Sequence, residues 1–172
     1  MNITTVLDQP SQLSERQRRI YDFLNDNPVA VLSSIDEAGR PHGAVIYYMI
    51  NSQFEILFLT RSGTTKYQNL KHRPAAMLTV CNVPEQTTVQ ISGEASEITD
   101  PAVIKLIAQG VAEASSRAGH QGRLPVQKLK GGEFAAFRIA PLQLRLANYA
   151  HPAQHAPEAV FESFESFDLR AR

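Results

Sequence analysis

Short apolar runs separated by turn-forming residues dominate this chain, and the pattern predicts a mainly β structure. Each run is rich in β-branched or aromatic residues and is bounded by residues that favour turns, such as Gly, Pro, Asn, Asp or Ser. The predicted strands span residues 29–35, 43–50, 54–60, 75–83, 87–98, 134–140 and 142–149. Pro141 separates the last two, and because proline has no N–H for a ladder it indicates an edge, a bulge or a bend. Gly93 is a candidate bulge site in the long fifth strand.

Three segments with helix-start signals interrupt the strands. The predicted helices span residues 15–27, 65–73 and 101–118. Ser14 and Gln17 have the spacing of a capping box at the start of the first helix, and Asp100 followed by Pro101 begins the third. Most links between strands are too short for parallel crossovers, so we expect antiparallel pairing. Closure of such a sheet into a barrel would remove its exposed edges.

The length and charge of the chain restrict its class. The 172 residues suit one domain, which we place at residues 1–150. A tail follows at residues 151–172 and is expected to be either flexible or packed on a partner subunit. Seventeen basic residues balance seventeen acidic ones, so no net positive charge favours nucleic acid. The sequence shows no signal peptide and no apolar run near the roughly 20 residues that span a bilayer. We therefore expect a cytoplasmic protein that binds neither nucleic acid nor a membrane.

The cysteine and histidine pattern indicates neither a disulfide nor a metal site. Cys81 is the single cysteine, so no disulfide can form within the chain. Among the five histidines, His151 and His155 stand four residues apart, but flanking prolines argue against a helix that would present both to zinc. A nucleophile elbow of the form Gly-x-Ser-x-Gly is also missing from the sequence. We predict no metal and name no catalytic acid or base.

The candidate chemistry lies at residues 56–70, where the third strand runs into the second helix. The first N–H groups of a helix have no partner within it, and together with the helix dipole they favour an anion. Arg61 and Lys66 add positive charge. The hydroxyl donors of this junction are Thr60, Ser62, Thr64 and Thr65. This chemistry suits a phosphate-bearing ligand. The alternative interpretation is a capped surface helix with solvated cations.

A series of short motifs follows in order between residues 19 and 149. They are the strand start at Pro28, the turn 36–41, the strand 45–48, the junction 60–66, Asn69-Leu70, His72-Arg73-Pro74, Ser92-Gly93-Glu94-Ala95 and Phe137-Arg138-Ile139-Ala140-Pro141. In this order and spacing they resemble the pyridoxamine 5′-phosphate oxidase-like family, the flavin-binding split barrels. The resemblance implies a six-stranded antiparallel split β-barrel with flanking helices. It also implies a homodimer that binds FMN at the subunit interface and acts on a small-molecule substrate.

The resemblance also assigns the cofactor site residue by residue. It implies that strand residues 45–48 line the flavin ring, largely through backbone groups, and that Thr60 lies near the ribityl and phosphate region. Thr65 and Lys66 match the pair that grips the phosphate, and Thr88 matches a polar position near the cofactor on the long strand. Arg61 and Thr64 are added from their local chemistry. The full candidate set is Val45, Ile46, Tyr47, Tyr48, Thr60, Arg61, Thr64, Thr65, Lys66 and Thr88.

Two departures from the family pattern indicate a divergent member. Residues 145–149 lack the Arg-x-His-Asp-Arg type segment of enzymes that oxidise pyridoxamine phosphate, and Thr65 replaces the Arg that stands beside the phosphate-binding Lys. We therefore expect an FMN-dependent oxidoreductase that acts on an unidentified small molecule. Two alternatives remain: a protein of the same fold that binds a deazaflavin or haem, and a non-catalytic flavin-binding stress-response module.

Overall fold

The structure, a computed structural model, describes residues 13–119, 124–128 and 132–150 and the strand at residues 161–165. In chain order the elements are α1 (Glu15–Asp26), β1 (Val29–Ile35), β2 (Pro41–Ile50), β3 (Ile56–Arg61), α2 (Thr65–His72), β4 (Ala75–Asn82), β5 (Thr87–Ile98), α3 (Pro101–Arg117), α4 (Pro125–Lys128), β6 (Phe134–Asn148) and β7 (Phe161–Glu165). None of the helices among these residues has both the length and the apolar character that a bilayer crossing requires.

The strands form one antiparallel sheet that closes into a barrel. The strand order is β3-β2-β1-β4-β5-β6-β7, and the additional pairing of β3 with β6 closes β1 to β6 into a ring. Strand β6 is long enough to pair with β3 through its first half and with β7 through its second half. The predicted fold, a mainly β six-stranded antiparallel split barrel with flanking helices, is confirmed.

The barrel is open between β2 and β3, and this split positions the site. The two strands pair only through Tyr48–Ile50 of β2 and Ile56–Phe58 of β3. Beyond that point β2 continues along β1, as far as the pairing of Pro41 with Ile35, while β3 continues along β6 to Arg61. The two strands therefore diverge, and the gap between them faces the start of helix α2.

Two apolar clusters hold the barrel and its helices together. The barrel interior is filled by alternate strand residues and includes the stacked rings of Phe58 and Phe137, whose centroids are 5.8 Å apart. A second cluster lies outside the barrel, where helix α3 covers β3 and β6 through Val103, Ile107 and Val111. The same strand β3 thus supplies both clusters, because successive side chains point to opposite faces. Burial on both faces explains its nearly continuous apolar sequence.

Most local predictions are confirmed, and the exceptions have local causes. Strand β3 begins at Ile56 rather than at Phe54, because Phe54 lies in a turn with a φ of 59°. The last two predicted strands form one strand, β6, in which Pro141 lies opposite Gly93 and the register shifts between Ser92 and Gly93. The predicted bulge is therefore present. Helix α4 and strand β7 have no counterpart in the sequence prediction.

Candidate functional site

A cleft opens at the split between β2 and β3 and is walled by both strands and by three helical segments. Its empty volume, which includes space open to solvent, is about 390 Å³. Its lining residues are Val45, Ile46, Tyr47, Leu59, Thr60, Lys66, Val111, Leu124 and Val126. The lining is mostly apolar, and among the described residues Lys66 is its only formally charged side chain. The structure thus brings together five of the ten candidate residues.

Two hydroxyl groups organise the link between β3 and α2 at the end of the cleft. Thr64 is the N-cap of α2, as its Oγ1 accepts a hydrogen bond from the backbone N–H of Tyr67. The same hydroxyl donates to the carbonyl of Arg61 at 2.8 Å. A hydroxyl has one proton, so in the 2.9 Å contact between Thr60 and Thr64 it is Thr60 that donates. Both hydroxyl protons are thus used within the chain, and the pair fixes the start of the helix.

Lys66 is the polar centre of the cleft. It lies in the first turn of α2 and is half-buried, and burial lowers the pKa of its ammonium group below the usual value. No neighbouring charge contributes to this pKa, and among the described residues no acceptor or carboxylate pairs with it. A cation withdrawn from water without a counter-ion is unfavourable, so this position favours a bound anion.

The first turn of α2, which carries Lys66, also has backbone donors without an acceptor in the described residues. The backbone N–H of Tyr67 bonds to its cap and that of Gln68 bonds to the carbonyl of Thr64. The N–H groups of Thr65 and Lys66 precede these and make no hydrogen bond with the described residues, as expected for the first turn of a helix. Thr65 is exposed, so its hydroxyl is also accessible. The first turn of α2 therefore offers two amides, one hydroxyl and one ammonium group to an anion.

Arg61 does not join this group of donors. Its Nε donates to the carbonyl of Val126 at 3.1 Å, one terminal nitrogen donates to the carbonyl of Gly132 at 3.0 Å, and its guanidinium lies 4.3 Å from the ring centroid of Phe134. The guanidinium is therefore engaged within the chain, and its assignment as a phosphate-binding cation stays a prediction. Arg61 follows Leu59 on the outer face of β3, two residues along, where its guanidinium meets the carbonyls of Val126 and Gly132.

The two adjacent tyrosines also separate by strand alternation. Tyr47 lines the cleft and packs against the outer cluster, whereas Tyr48 is fully buried in the barrel. The Tyr48 hydroxyl lies 2.8 Å from the carbonyl of Leu24 and 2.9 Å from that of Asn27, at the end of α1. Burial raises the pKa of this hydroxyl well above its usual value. The Tyr48 side chain is therefore a core group and not a cofactor contact.

A family model described as pyridoxamine 5′-phosphate oxidase matches residues 17–148, more than three quarters of the chain. The protein belongs to the pyridoxamine 5′-phosphate oxidase family. This match covers the barrel, the split and the junction that holds Lys66, so the family shares all the elements that form the cleft. Comparison with curated proteins gave no significant match.

Solved structures share this family fold at low sequence identity. A haem-binding protein from Mycobacterium smegmatis has a TM-score of 0.64 at 12% identity, over 91% of this chain and 60% of that one. A Clostridium acetobutylicum protein related to general stress protein 26 has a TM-score of 0.64 at 9% identity, over 92% and 100%. A pyridoxamine 5′-phosphate oxidase-related, FMN-binding protein from Nostoc punctiforme has a TM-score of 0.58 at 12% identity, over 89% and 97%. At these identities the likeness establishes the fold.

Thr88, the family-derived candidate on the long strand, does not line the cleft of its own chain. It pairs with Cys81 of β4 and lies on β5, three strands from β2 in the sheet order. Three inter-strand spacings amount to roughly 14 Å. Its hydroxyl makes a 3.8 Å contact with the Cys81 sulfur. Thr88 therefore belongs to the outer sheet face and not to the cleft.

Four cleft residues were not among the site residues predicted from the sequence. Leu59 lies within a predicted strand and Val111 within the third predicted helix, but neither pattern shows that the two line one cavity. Leu124 and Val126 lie in a stretch rich in glycine and proline that predicted only a loop. The apolar Leu-Pro-Val triplet within that polar stretch is the one signal that indicated a packed segment.

Proposed function

We propose that this protein is a flavoprotein that binds FMN in the cleft at the split, with the phosphate group at the start of α2. The observation that carries the proposal is Lys66: a half-buried ammonium group without a counter-ion, beside two amide donors, in an otherwise apolar cleft. Charge-assisted hydrogen bonds to a phosphate would stabilise this arrangement. The donor set therefore fits the anionic end of FMN.

The flavin ring fits the part of the cleft formed by β2. The Tyr48 N–H donates to the carbonyl of Pro28, on the β1 side of the strand. Because N–H groups alternate between the two edges of a strand, the N–H of Val45 points toward the split. Ile46 and Leu59 supply apolar surface there. The strand thus offers a backbone donor and an apolar surface to an aromatic ring that carries polar atoms at its edge.

We infer that the protein is an oxidoreductase acting on a small molecule. A bound flavin supplies hydride and electron transfer, and the residues of this chain bind, orient and exclude water. The described lining holds no carboxylate, histidine or cysteine, and we assign no catalytic acid or base among these residues. The role of Lys66 in this account is to hold the phosphate. Vitamin B6 oxidation is not part of the proposal, since residues 145–149 lack its signature.

We further propose a homodimer in which a second subunit borders the cleft. The outer face of β1, β2 and β4 exposes Val31, Val45 and Met77, with 45%, 64% and 40% of their surface accessible. Val31 pairs with Val45 across the sheet, so these side chains form a continuous apolar patch. Val45 also lines the cleft. A second copy on this patch would shield the flavin, and Thr88 on the same outer face is positioned to approach the cleft of the other subunit.

Haem is the second candidate ligand, since the Mycobacterium smegmatis neighbour binds it. Haem would require an axial ligand, and no histidine lines the cleft among the described residues. His151 and His155 lie outside the described residues. A visible absorption spectrum of the purified protein separates the two candidates, because flavin and haem absorb at different wavelengths. The third candidate is a non-catalytic flavin-binding stress-response module, which would bind flavin without turnover.

The test is titration of purified, cofactor-free protein with FMN. Lys66→Met is expected to weaken FMN binding by roughly 10- to 100-fold, since a charge-assisted contact contributes about 1.5–3 kcal/mol. Lys71→Met is the matched control, because Lys71 lies on the same helix but pairs with Glu97 at 2.9 Å on the surface. Equal affinities for wild type and Lys66→Met would refute the phosphate site. An absence of FMN binding by the wild type would refute the proposed function.

A further inference from the structure

A short segment covers one side of the cleft and is attached to the same junction that holds Lys66. We call residues 124–128 and 132–134 the wall segment. Its Leu124 and Val126 side chains line the cleft opposite β2. Leu124 is buried in the outer cluster, and Val126 is partly buried against it. The wall segment is therefore part of the cavity surface that a ligand would contact.

Arg61 makes three contacts with the wall segment. Its guanidinium donates to the carbonyl of Val126 in α4 and to the carbonyl of Gly132, and it stacks over the ring of Phe134. These partners are separated along the wall segment. One planar, rigid guanidinium group therefore links helix α4 to the residues that lead into β6. The contacts span 65 and 71 positions of sequence.

The neighbouring residue Ser62 adds a second attachment. Its N–H donates to the carbonyl of Glu133 at 3.0 Å, and its Oγ accepts from the N–H of Glu133 at 3.0 Å. Gly132 adopts a φ of +70°, and a Cβ there would lie 2.4 Å from Ser62 Oγ and 2.5 Å from the Gly63 nitrogen. The backbone of the wall segment thus lies directly against the β3–α2 junction, and glycine is required at the point of closest approach.

We propose that Arg61 is a positioning residue that holds the wall segment against the cleft and thereby slows release of the bound flavin. This inference rests on the proposed function for its ligand, but the attachment itself is a property of the chain. Arg61 acts through Leu124 and Val126, which contact the apolar part of the ligand, and not through the phosphate. Loss of Arg61 therefore weakens binding of a flavin whether or not the flavin carries a phosphate.

Flavin binding with a matched pair of ligands tests this role. FMN and riboflavin share the ring and the ribityl chain and differ in the phosphate. Arg61→Met is expected to weaken both by the same factor, about ten-fold, through faster dissociation. Arg61→Lys keeps the charge but cannot make both hydrogen bonds, so it is expected to restore part of the affinity. Arg40→Met is the control, because Arg40 pairs with Asp36 in the β1–β2 turn.

Hydrogen exchange of the ligand-free protein tests the attachment independently of flavin. Arg61→Met is expected to speed amide exchange in the wall segment and to leave exchange in β1 and β4 unchanged. Lys66→Met and Arg40→Met are expected to leave the wall segment protected. If the wild type binds no flavin, the proposed function fails. The hydrogen-exchange measurement still decides whether Arg61 holds the wall segment.

Two results would overturn the positioning role. A selective loss of FMN affinity in Arg61→Met, with riboflavin affinity unchanged, would show that Arg61 recognises the phosphate. Unchanged exchange in the wall segment, or equally faster exchange throughout the barrel, would show that Arg61 does not act on this segment specifically.

Discussion

Thr60 donates its hydroxyl proton to Thr64 Oγ1 across 2.9 Å, and this contact joins the last buried residue of β3 to the N-cap of α2. The direction follows from the proton count, because the hydroxyl of Thr64 already donates to the carbonyl of Arg61. The position of the proposed phosphate site thus depends on a side-chain pair that need not contact the phosphate.

Replacement of Thr60 by Val is expected to destabilise the fold and loosen the start of α2. The substitution keeps the shape but removes the donor to Thr64, which should lower the free energy of unfolding by about 1–2 kcal/mol. Urea denaturation measures the change. Thr99→Val, at an exposed position before the third helix, is the matched control and is expected to stay within about 0.5 kcal/mol of wild type. Equal effects of the two substitutions would contradict the role of the pair.

Replacement of Lys66 by Met is expected to stabilise the ligand-free protein while weakening FMN binding. The substitution removes a half-buried charge without a counter-ion, so the free energy of unfolding should rise by roughly 0.5–1 kcal/mol at pH 7. Lys71→Met removes an exposed ion pair and should give no gain. A loss of stability in Lys66→Met would show that Lys66 already has a stabilising partner in the ligand-free protein.

The lowered pKa of Lys66 predicts a pH dependence of phosphate recognition. Lys66 loses its proton at a lower pH in the folded protein than in the unfolded chain, so the unfolded state binds more protons in that interval and stability rises with pH there. The neutral amine attracts phosphate less, so the ratio of FMN to riboflavin affinity should fall as pH rises through this pKa. Titrations above about pH 7.5 keep the second phosphate ionisation, at a pKa of about 6, complete. A constant affinity ratio up to about pH 10.4, the usual lysine pKa, would count against Lys66 as the phosphate partner.

Replacement of Tyr48 by Phe is expected to affect stability and not cofactor binding. The substitution leaves the carbonyls of Leu24 and Asn27 without the tyrosine donor and should cost about 1–3 kcal/mol. Tyr21→Phe is the control, since Tyr21 is also buried, and packs edge-to-face on Phe54. Thermal unfolding compares the two variants. A change in FMN affinity of folded Tyr48→Phe without a stability loss would place this hydroxyl at the cofactor.

Replacement of Gly93 by Ala is expected to disrupt the bulge between β5 and β6. A Cβ at this position would lie 2.3 Å from the carbonyl oxygen of Ala140, and a backbone atom cannot move aside like a flexible side chain. We expect a loss of about 1–3 kcal/mol in the free energy of unfolding. Gly43→Ala is the control, because its nearest neighbour would be Val31 Cγ1 at 3.7 Å. Similar denaturation midpoints for both variants would contradict the close approach.

The elements that sequence predicted well are those governed by local interactions. The cap at Ser14, the cap at Asp100 and the helix start after Thr64 depend on residues within four positions of each other. The alternation of Tyr47 and Tyr48 was also predictable, because it follows from the geometry of a strand. Which of the two faces the cleft was not, since that depends on how β2 pairs with its neighbours.

The parts of the site that sequence missed depend on contacts between distant residues. Arg61 resembled a phosphate-binding cation because of its charge and its place beside the helix start, but its partners lie in the wall segment, 65 and 71 positions away. Leu124 and Val126 reach the cleft for the same reason. Strand β7 was not predicted either, because its pairing with β6 arises only where β6 extends beyond β3.

The central claim is that Lys66 pairs with the phosphate of FMN, and a double cycle measures this pairing most directly. The cycle compares FMN with riboflavin in the wild type and in Lys66→Met, by calorimetric titration at pH 7.5. The account predicts a coupling free energy of about 1.5–3 kcal/mol between the phosphate and the ammonium group, with riboflavin affinity nearly equal in both proteins. A coupling free energy near zero, which means the same ratio of FMN affinity to riboflavin affinity in both proteins, would contradict it.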